Sequence, residues 1–470
     1  MPPLQHSVRL PPPTRARPRV LMGLLFYPRG GSAHVARSLA HVLPEHDWEV
    51  RVVSGSLQLP GHPGDARAFF AGLDLFAVDY TAALSAADPL QADPPFHPSY
   101  EDRPGAPDRI FASVDDATYA HLVTAWSRIL HEAGAAEADL LHLHHLTPLH
   151  EAARAVAPEV PIVGHLHGTE LLLLEAIAQG PPAHWRYAAP WAERMRRWAA
   201  SCQRLVVSAA PQVARAQAVL PIDPARCVLL PNGFDPLSFD HRPVDRLALW
   251  QHLLVEQPRG WGPGGEPGSV AYTAEQLGAF VTGPVLLYVG RFTAVKRISL
   301  LIAAYQRAQR DFVTPAPLVL LGGFPGEWEG EHPYDTIQRL GVHDVFLAGW
   351  HEHEELPAIF AASDVVVLPS VREQFGQVLV EGMACGLPAL AVDAHGPREI
   401  VEDGQTGWLV PPDDEGALVA ALVGAVNDPT ERQRRGKAAS AAVRARYSWP
   451  SLGAKLARTY EALLATSPTT

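Results

Sequence analysis

The chain has 470 residues, of which 47% are hydrophobic, and it carries a formal net charge of −12 at pH 7. This length exceeds what one hydrophobic core usually supports, so we expect two domains. The negative charge argues against a nucleic-acid partner, because such binding needs a basic surface to neutralise phosphates. No segment of the sequence is long and apolar enough to predict a membrane-spanning helix.

The N-terminal residues 1–18 are rich in Pro and Arg and lack the apolar core of a signal peptide. We therefore predict a disordered lead and a cytoplasmic protein. Three cysteines, Cys202, Cys227 and Cys385, are far apart and form no paired motif. Unpaired cysteines suit a reducing compartment, and we predict that these three serve in packing.

The N-terminal half alternates apolar runs with segments of helix length, which is typical of a parallel, doubly wound sheet. The predicted strands are 19–26, 48–53, 139–143, 161–165, 204–208 and 227–230. Residues 85–108 are rich in Pro, Asp and Ala and predict a surface loop. The Gly- and Pro-rich residues 257–269 predict a flexible insert near the domain junction.

Gly30 and Gly31 follow the first predicted strand and open a helix. Their backbone is therefore approachable by a phosphate or by an acceptor molecule. A plain tight turn is the alternative, because glycine serves both uses.

Histidines cluster in this half of the chain, at His142, His144, His145, His150, His165 and His167. A metal site is one interpretation, because imidazole is the commonest metal ligand. However, His142 and His144 share one strand face while His145 points oppositely, so these three do not converge on one ion. We predict no metal ligands here. His144, His145 and His167 are expected at strand ends, where they border a cleft and donate hydrogen bonds.

One helix-like stretch combines cations with tryptophans: Arg194, Arg196, Arg197 and Arg204 lie near Trp191 and Trp198. Peripheral contact with an anionic membrane is one interpretation of this pattern. A solvated helix face is favoured, because the stretch lacks a broad apolar stripe.

In the C-terminal half, a predicted strand ends at Gly290, and Arg291 and Lys296 precede an apolar helix at 298–308. Such a turn can aim backbone N–H groups and cations at a phosphate. It lacks the glycine spacing of a Walker loop and of a dinucleotide-binding fingerprint. An ordinary strand-to-helix turn with surface cations is the alternative.

Two carboxylates, Glu373 and Glu381, flank Gly376 after a β-branched run at 365–368. The pattern predicts a buried strand that delivers Glu373 at its carboxyl end, a tight turn, and a helix at 378–385 that carries Glu381. Ligands bind outside the carboxyl ends of strands in such sheets, and carboxylates there accept hydrogen bonds from the diols of sugars. A solvated helix face is the alternative for two glutamates at this spacing.

Six ordered segments carry a family resemblance. They are Gly290-Arg291-Phe with Lys296, Leu320-Leu-Gly-Gly323, Val345-Phe-Leu-Ala-Gly349, Ala362-Ser-Asp-Val-Val-Val-Leu-Pro-Ser370, Glu373 through Pro388, and Glu402-Asp-Gly-Gln-Thr-Gly-Trp-Leu-Val-Pro411. With them, residues 285 to about 418 resemble the C-terminal domain of the retaining glycosyltransferases of family 4 (group 1), which have the GT-B fold. The N-terminal half is similar through Gly30-Gly31, His167-Gly-Thr-Glu170, Val207-Ser208 and Pro231-Asn-Gly-Phe-Asp235.

The resemblance implies an α/β protein of the GT-B class, with two Rossmann-like doubly wound domains facing a central cleft. The N-terminal acceptor domain would span 19–240 and be completed by the last helix, at 450–470. The nucleotide-sugar donor domain would span 283–449, with a linker and insert at 241–282 between them.

The activity that the resemblance implies is the transfer of a hexosyl group from a UDP- or GDP-sugar to an acceptor hydroxyl, with retention and without a cofactor or metal. Arg291 and Lys296 would hold the diphosphate. Glu373 and the turn Phe375, Gly376 and Gln377 would hold the transferred sugar, with Glu381 on the ribose. His167 would meet the transferred sugar, and Gly30 and Gly31 would face the diphosphate.

The acceptor stays open among small molecules, lipid-linked molecules and polysaccharides. Gln374 and Gln377 depart from the family pattern, in which a small residue or Pro and a Leu or Ile are frequent, so both bear on donor choice. An epimerase of nucleotide sugars with a similar fold and a noncatalytic nucleotide-sugar binder are the alternatives. A glycoside hydrolase is disfavoured, because it would not need the two cations.

Overall fold

The computed structural model describes residues 17–28, 30–59, 62, 64–102, 107–373 and 375–466. Nearly all of the predicted lead at 1–18 therefore lies outside the described residues, as does Gln374. The chain divides into two compact units, one of Met1–Leu230 with Gly453–Thr470 and one of Pro231–Leu452.

The first unit contains a seven-stranded parallel sheet. Its strands are β1 (Arg19–Leu24), β2 (Glu49–Ser56), β3 (Asp74–Asp79), β4 (Leu140–His144), β5 (Ile162–His165), β6 (Arg204–Val207) and β7 (Cys227–Leu229). Their order in the sheet is β3-β2-β1-β4-β5-β6-β7. Strand order therefore reverses between β1 and β4, and ligands bind at such a switch point in open parallel sheets.

The helices of this unit connect the parallel strands. They are α1 (Gly31–Val42), α2 (Ala66–Phe69), α3 (Asp116–Glu132), α4 (Leu149–Val156), α5 (Thr169–Gln179), α6 (Ala188–Ser201) and α7 (Ala210–Val219). The central strands are buried on both faces because helices cover a parallel sheet on both sides.

The second unit contains a six-stranded parallel sheet in the order β10-β9-β8-β11-β12-β13. Its strands are β8 (Leu286–Val289), β9 (Leu318–Leu321), β10 (Val345–Gly349), β11 (Val365–Leu368), β12 (Ala389–Val392) and β13 (Gly407–Val410). All residues of β8, β9, β11 and β12 are buried. Here the strand order reverses between β8 and β11, so the prediction of doubly wound parallel sheets is confirmed in both units.

The helices of the second unit are α8 (Arg246–Gln251), α9 (Gly278–Thr282), α10 (Ile298–Ala308), α11 (Pro333–Leu340), α12 (Leu356–Ala361), α13 (Gln377–Ala384), α14 (His395–Ile400), α15 (Glu415–Asn427) and α16 (Pro429–Tyr447). The last helix, α17 (Trp449–Thr466), begins in the second unit and belongs to the first from Gly453 onward. In the first unit its Tyr460 is fully buried, with its ring 4.9 Å from that of Trp48.

The segment 241–282 differs from the predicted linker and flexible insert, because it packs into the second unit. Trp261 is 1% exposed, lies 4.5 Å from the ring of His332, and donates from Nε1 to the Gly323 carbonyl at 3.3 Å. Trp250 is fully buried and donates to the Ala362 carbonyl at 3.1 Å. Two tryptophans give an otherwise Gly- and Pro-rich segment enough apolar area to order it.

The stretch with Arg194 also differs from the membrane-contact interpretation. Trp191 and Trp198 are buried in the core of the first unit. Arg194 stacks 3.8 Å from the Tyr119 ring and pairs with Asp116. The tryptophans are therefore not available to a membrane surface. Among the described residues, the structure contains no helix of the length and apolarity that crossing a membrane requires.

Candidate functional site

The loops that follow β8 and β11 are tied together at the switch point of the second unit. The Val295 carbonyl accepts a hydrogen bond from the Val371 backbone N–H at 3.0 Å and another from the Ser370 hydroxyl at 3.3 Å. As a result, the Lys296 ammonium forms an ion pair with the Glu373 carboxylate. Their side chains are 17% and 20% exposed, so both charges remain partly accessible.

Arg291 lies in the same loop as Lys296, and its side chain is exposed. Among the described residues, this guanidinium has no hydrogen-bond or ion-pair partner. Its backbone carbonyl accepts a hydrogen bond from the Tyr288 hydroxyl at 2.9 Å, which fixes the start of the loop. Burial and the nearby Glu373 carboxylate raise the pKa of Tyr288, while Arg291 acts in the opposite direction. Arg291, Lys296 and Glu373, which the sequence predicted as site residues, thus lie together at the carboxyl ends of β8 and β11.

The turn between Glu373 and α13 is held by close backbone contacts. Gly376 has a φ of 101°, a left-handed conformation that favours glycine. The Gly396 N–H donates to the Glu373 carbonyl at 3.0 Å, and a Cβ at Gly396 would lie 2.2 Å from the Phe375 carbonyl oxygen. The backbone that presents Glu373 and Phe375 is therefore fixed from the side of α14.

Glu381 lies on α13 and is almost fully buried, with a side chain that is 3% exposed. Its Oε1 atom accepts two hydrogen bonds of 2.9 Å, one from His353 Nε2 and one from Gln377 Nε2. His353 follows β10 and was missed in the sequence. No signal in the sequence indicated it, because 28 residues separate it from Glu381.

In the first unit, the histidines at the ends of β4 and β5 form a hydrogen-bonded network. His142 Nδ1 pairs with the Tyr460 hydroxyl, and its Nε2 lies 3.2 Å from His165 Nδ1. His144 Nδ1 lies 2.9 Å from His167 Nε2. The register of β4 against β5 produces this arrangement, because it sets His144 opposite His165.

These histidines are held in the neutral form. Burial lowers the pKa of His142 to about 3. Burial, assisted by the neighbouring imidazoles, lowers the pKa of His144, His165 and His167 well below the ordinary value. A buried imidazolium would lose its hydration without gaining a counter-charge.

Glu170, which follows His167 in the family motif, is fully buried and serves as an anchor. It accepts a hydrogen bond from the His167 backbone N–H at 2.7 Å, and its other oxygen lies 3.4 Å from His145 Nδ1. Burial raises the pKa of the Glu170 carboxyl, but its hydrogen bonds and the charge of His145 lower it more. Glu170 therefore fixes the backbone at His167.

A metal centre fits this cluster poorly. The ligand atoms of His142, His144 and His165 lie within 4.8 Å of one another. Nitrogens at 2.0–2.1 Å from one tetrahedral zinc ion would lie about 3.4 Å apart. Both nitrogens of His142 already have hydrogen-bond partners. The arrangement suits a neutral hydrogen-bonded network better than a metal site.

Gly30 and Gly31 stand at the start of α1, beside the switch point of the first unit. A Cβ at either position would meet no atom of the described residues within 4 Å, apart from its neighbours in the chain. The described residues therefore leave space for a ligand in front of this turn.

Two family models match the chain. The model for glycosyl transferases group 1 matches residues 273–442, and the model for Glycosyltransferase Family 4 matches residues 29–236. This chain belongs to the group 1 glycosyltransferases of family 4.

Curated relatives match over part of their length. The chain is 33% identical over 181 residues to Alpha-D-kanosaminyltransferase of Streptomyces kanamyceticus, covering 38% of this chain and 45% of that protein. It is 34% identical over 184 residues to Glycogen synthase of Mycobacterium tuberculosis, covering 38% and 43%. The matched region thus spans less than half the length of these relatives.

Solved structures match over nearly the whole chain. Sucrose-phosphate synthase from Thermosynechococcus elongatus superposes with a TM-score of 0.61 at 20% identity, over 96% of this chain and 99% of that one. Alr3699/HepE from Anabaena, in complex with UDP and glucose, gives a TM-score of 0.58 at 18% identity, over 95% and 100%. The predicted GT-B fold is confirmed.

Proposed function

We propose that this chain transfers a hexosyl group from a UDP- or GDP-sugar to an acceptor hydroxyl, with retention of configuration. The observation that carries the proposal is the joining of Lys296 and Glu373 at the carboxyl ends of β8 and β11, beside Arg291, whose guanidinium has no partner among the described residues. Cations and a carboxylate at one switch point match the two halves of a nucleotide sugar, a diphosphate and a polyhydroxylated ring.

The two cations would bind the diphosphate. Arg291 can grip phosphate oxygens with two N–H groups, while Lys296 acts as a point charge. Before the donor binds, Lys296 and Glu373 neutralise each other. A phosphate would compete for Lys296 and release Glu373 oxygens for the sugar hydroxyls.

The remaining groups would hold the rest of the donor. Glu373 and the backbone of the turn Phe375, Gly376 and Gln377 would orient the hexose, and Glu381 would accept hydrogen bonds from the ribose. In the first unit, the proposal assigns His167 to the transferred sugar. It assigns Gly30 and Gly31 to the donor phosphate or the acceptor.

The chemistry follows from the charges. As the bond between the anomeric carbon and the phosphate oxygen breaks, the sugar becomes oxocarbenium-like and the departing diphosphate gains negative charge. Arg291 and Lys296 would stabilise that charge where it develops. The acceptor oxygen would attack on the face that the diphosphate leaves, and the diphosphate would take the acceptor's proton. This route needs no enzyme nucleophile, and Glu170, the acidic residue nearest His167 in sequence, is buried and already engaged.

The relatives support the donor class. Alr3699/HepE was solved with UDP and glucose and with UDP-glucose. The curated relatives are named as glycosyltransferases or as glycogen synthase.

The first experiment is a thermal-shift screen with UDP, GDP and ADP. A ligand at 100 times its dissociation constant adds about 2.7 kcal/mol to the free energy of unfolding. The diphosphate with the largest shift identifies the donor nucleotide, and no shift with any of the three would contradict the proposal.

The second experiment measures the release of nucleoside diphosphate from matching nucleotide hexoses, with and without candidate acceptors. Release that depends on an acceptor separates a transferase from an epimerase, which keeps the sugar on the nucleotide, and from a noncatalytic binder. We expect Arg291→Ala and Lys296→Ala each to lower turnover by about 10²- to 10³-fold. Arg310→Ala, an exposed arginine after α10, is the matched control.

The division of roles between the glutamates has its own test. Glu373→Gln should impair use of the donor more than Glu381→Gln does, because only Glu373 is assigned to the reacting sugar. Equal effects of the two substitutions would contradict the assignment.

A further inference from the structure

Two hydrogen-bond donors converge on a single oxygen of Glu381. His353 Nε2 and Gln377 Nε2 each lie 2.9 Å from Oε1. Among the described residues, Oε2 has no hydrogen-bond partner. A carboxylate with two donors on one oxygen cannot rotate freely, so the direction of the second oxygen is fixed.

The Gln377 amide is itself anchored. Its Nε2 also donates to the Gly233 carbonyl at 2.9 Å. Gly233 is packed so tightly that a Cβ there would lie 2.6 Å from the Trp449 ring. The neighbouring Phe234 exchanges backbone hydrogen bonds with Tyr447 and Trp449, at 3.0 and 3.1 Å. This amide therefore joins α13 to a closely packed part of the second unit.

The Gln377 amide also destabilises the fold in a way that an apolar side chain would not. The Gln377 Oε1 atom is buried without a hydrogen-bond partner among the described residues. An unsatisfied buried acceptor destabilises a fold, and a Leu or Ile of similar size would not have one. A polar group retained despite such a cost is a sign of function.

We propose that Gln377 and His353 are positioning residues that aim Glu381 Oε2 at the ribose hydroxyls of the donor. They thereby set the preference of this site for ribonucleotides over deoxyribonucleotides. The inference rests on the proposed function, because it assumes that a nucleoside diphosphate binds in the second unit.

The test measures binding by titration calorimetry. The probe is whichever of UDP, GDP and ADP gives the largest thermal shift, together with its 2′-deoxy and 3′-deoxy forms. In the wild-type protein, loss of a hydroxyl that bonds a carboxylate should weaken binding by about 10- to 100-fold. In Gln377→Leu and in His353→Ala, the ratio of the dissociation constants of the deoxy and ribo forms should fall to about threefold or less.

Controls separate positioning from a general loss of structure. His353→Gln keeps an N–H donor at similar reach and should retain most of the discrimination. Gln405→Leu and His343→Asn change exposed residues of the same unit and should leave the ratio unchanged.

Each result decides one point. Variants that keep the wild-type ratio would overturn the positioning role. Equal wild-type affinity for ribo and deoxy forms would overturn the inference and the role of Glu381, but not that of the cations. Absence of binding by any diphosphate would instead overturn the proposed function itself.

Discussion

Lowering the pH from 7 to 5 should destabilise the first unit through its buried histidines. Burial lowers the pKa of His142 to about 3 and that of His150 to about 4, against about 6.5 in an unfolded chain. Between these values the unfolded chain binds protons that the folded chain does not, so stability is lost as the pH falls through about 6.5. Each histidine should contribute a loss of about 2 kcal/mol between pH 7 and pH 5.

His144, His165 and His167 shift in the same direction and add to this loss. The buried carboxylate Glu170 does not contribute to the change in stability between pH 7 and pH 5. Its lowered pKa means that its own contribution is lost only below the range studied.

The assay is urea unfolding followed by circular dichroism at pH 7, 6 and 5. Because the two units need not unfold together, the informative quantity is the difference between variants. His142→Leu should remove about 2 kcal/mol of the loss between pH 7 and 5. His41→Leu, an exposed histidine of the same unit, should leave it unchanged. The same pH dependence in wild type and His142→Leu would refute a neutral, buried His142.

Three further predictions concern the second unit. Trp261→Ala should lower its free energy of unfolding by about 3–5 kcal/mol, measured by urea unfolding, because a buried tryptophan leaves a large cavity. An effect below about 1 kcal/mol would show that the segment is not part of the core. Gly396→Ala should displace the Phe375 carbonyl by about 1 Å and lower donor turnover by about 100-fold, whereas wild-type turnover would contradict a fixed turn. Lys296→Met should lower the free energy of unfolding by about 3 kcal/mol, because it leaves the mostly buried Glu373 carboxylate unpaired, while turnover falls by at least about 100-fold. A large stability loss without a rate effect would make this pair structural.

The sequence predicted every strand of the first unit except the edge strand β3. The runs that became β1, β4 and β5 are mostly apolar, so they stand out without any knowledge of their neighbours, although His142 and His144 lie on one face of β4. Strand β3 was missed, because it lies at the sheet edge, is mostly half-buried and has Asp at both ends. Residues 257–269 illustrate a second limit of the sequence. Their Gly and Pro content predicted a flexible insert, and the burial of Trp261 in the core of the second unit was not predicted.

The candidate site was predictable where it depends on neighbouring strands. Arg291 and Lys296 follow β8 and Glu373 follows β11, so pairing of these two strands brings the three residues together. Contacts between distant segments were not predictable. The Val295 carbonyl that joins the loops, the approach of His353 to Glu381 and the Gly233 partner of Gln377 all depend on tertiary packing.

The two switch points differ in electrostatics although the sheets share a topology. In the first unit, the ends of β4 and β5 present imidazoles whose burial keeps them neutral, so they attract no anion. In the second unit, the end of β8 presents Arg291 and Lys296, and only Lys296 has an anionic partner among the described residues. A diphosphate should therefore bind the second unit, since a phosphate dianion needs cations that are already in place. Neutral imidazoles can still donate and accept hydrogen bonds, which suits the hydroxyls of an uncharged sugar. Burial in the first unit and exposed charge in the second thus support the assignment of the donor diphosphate to Arg291 and Lys296.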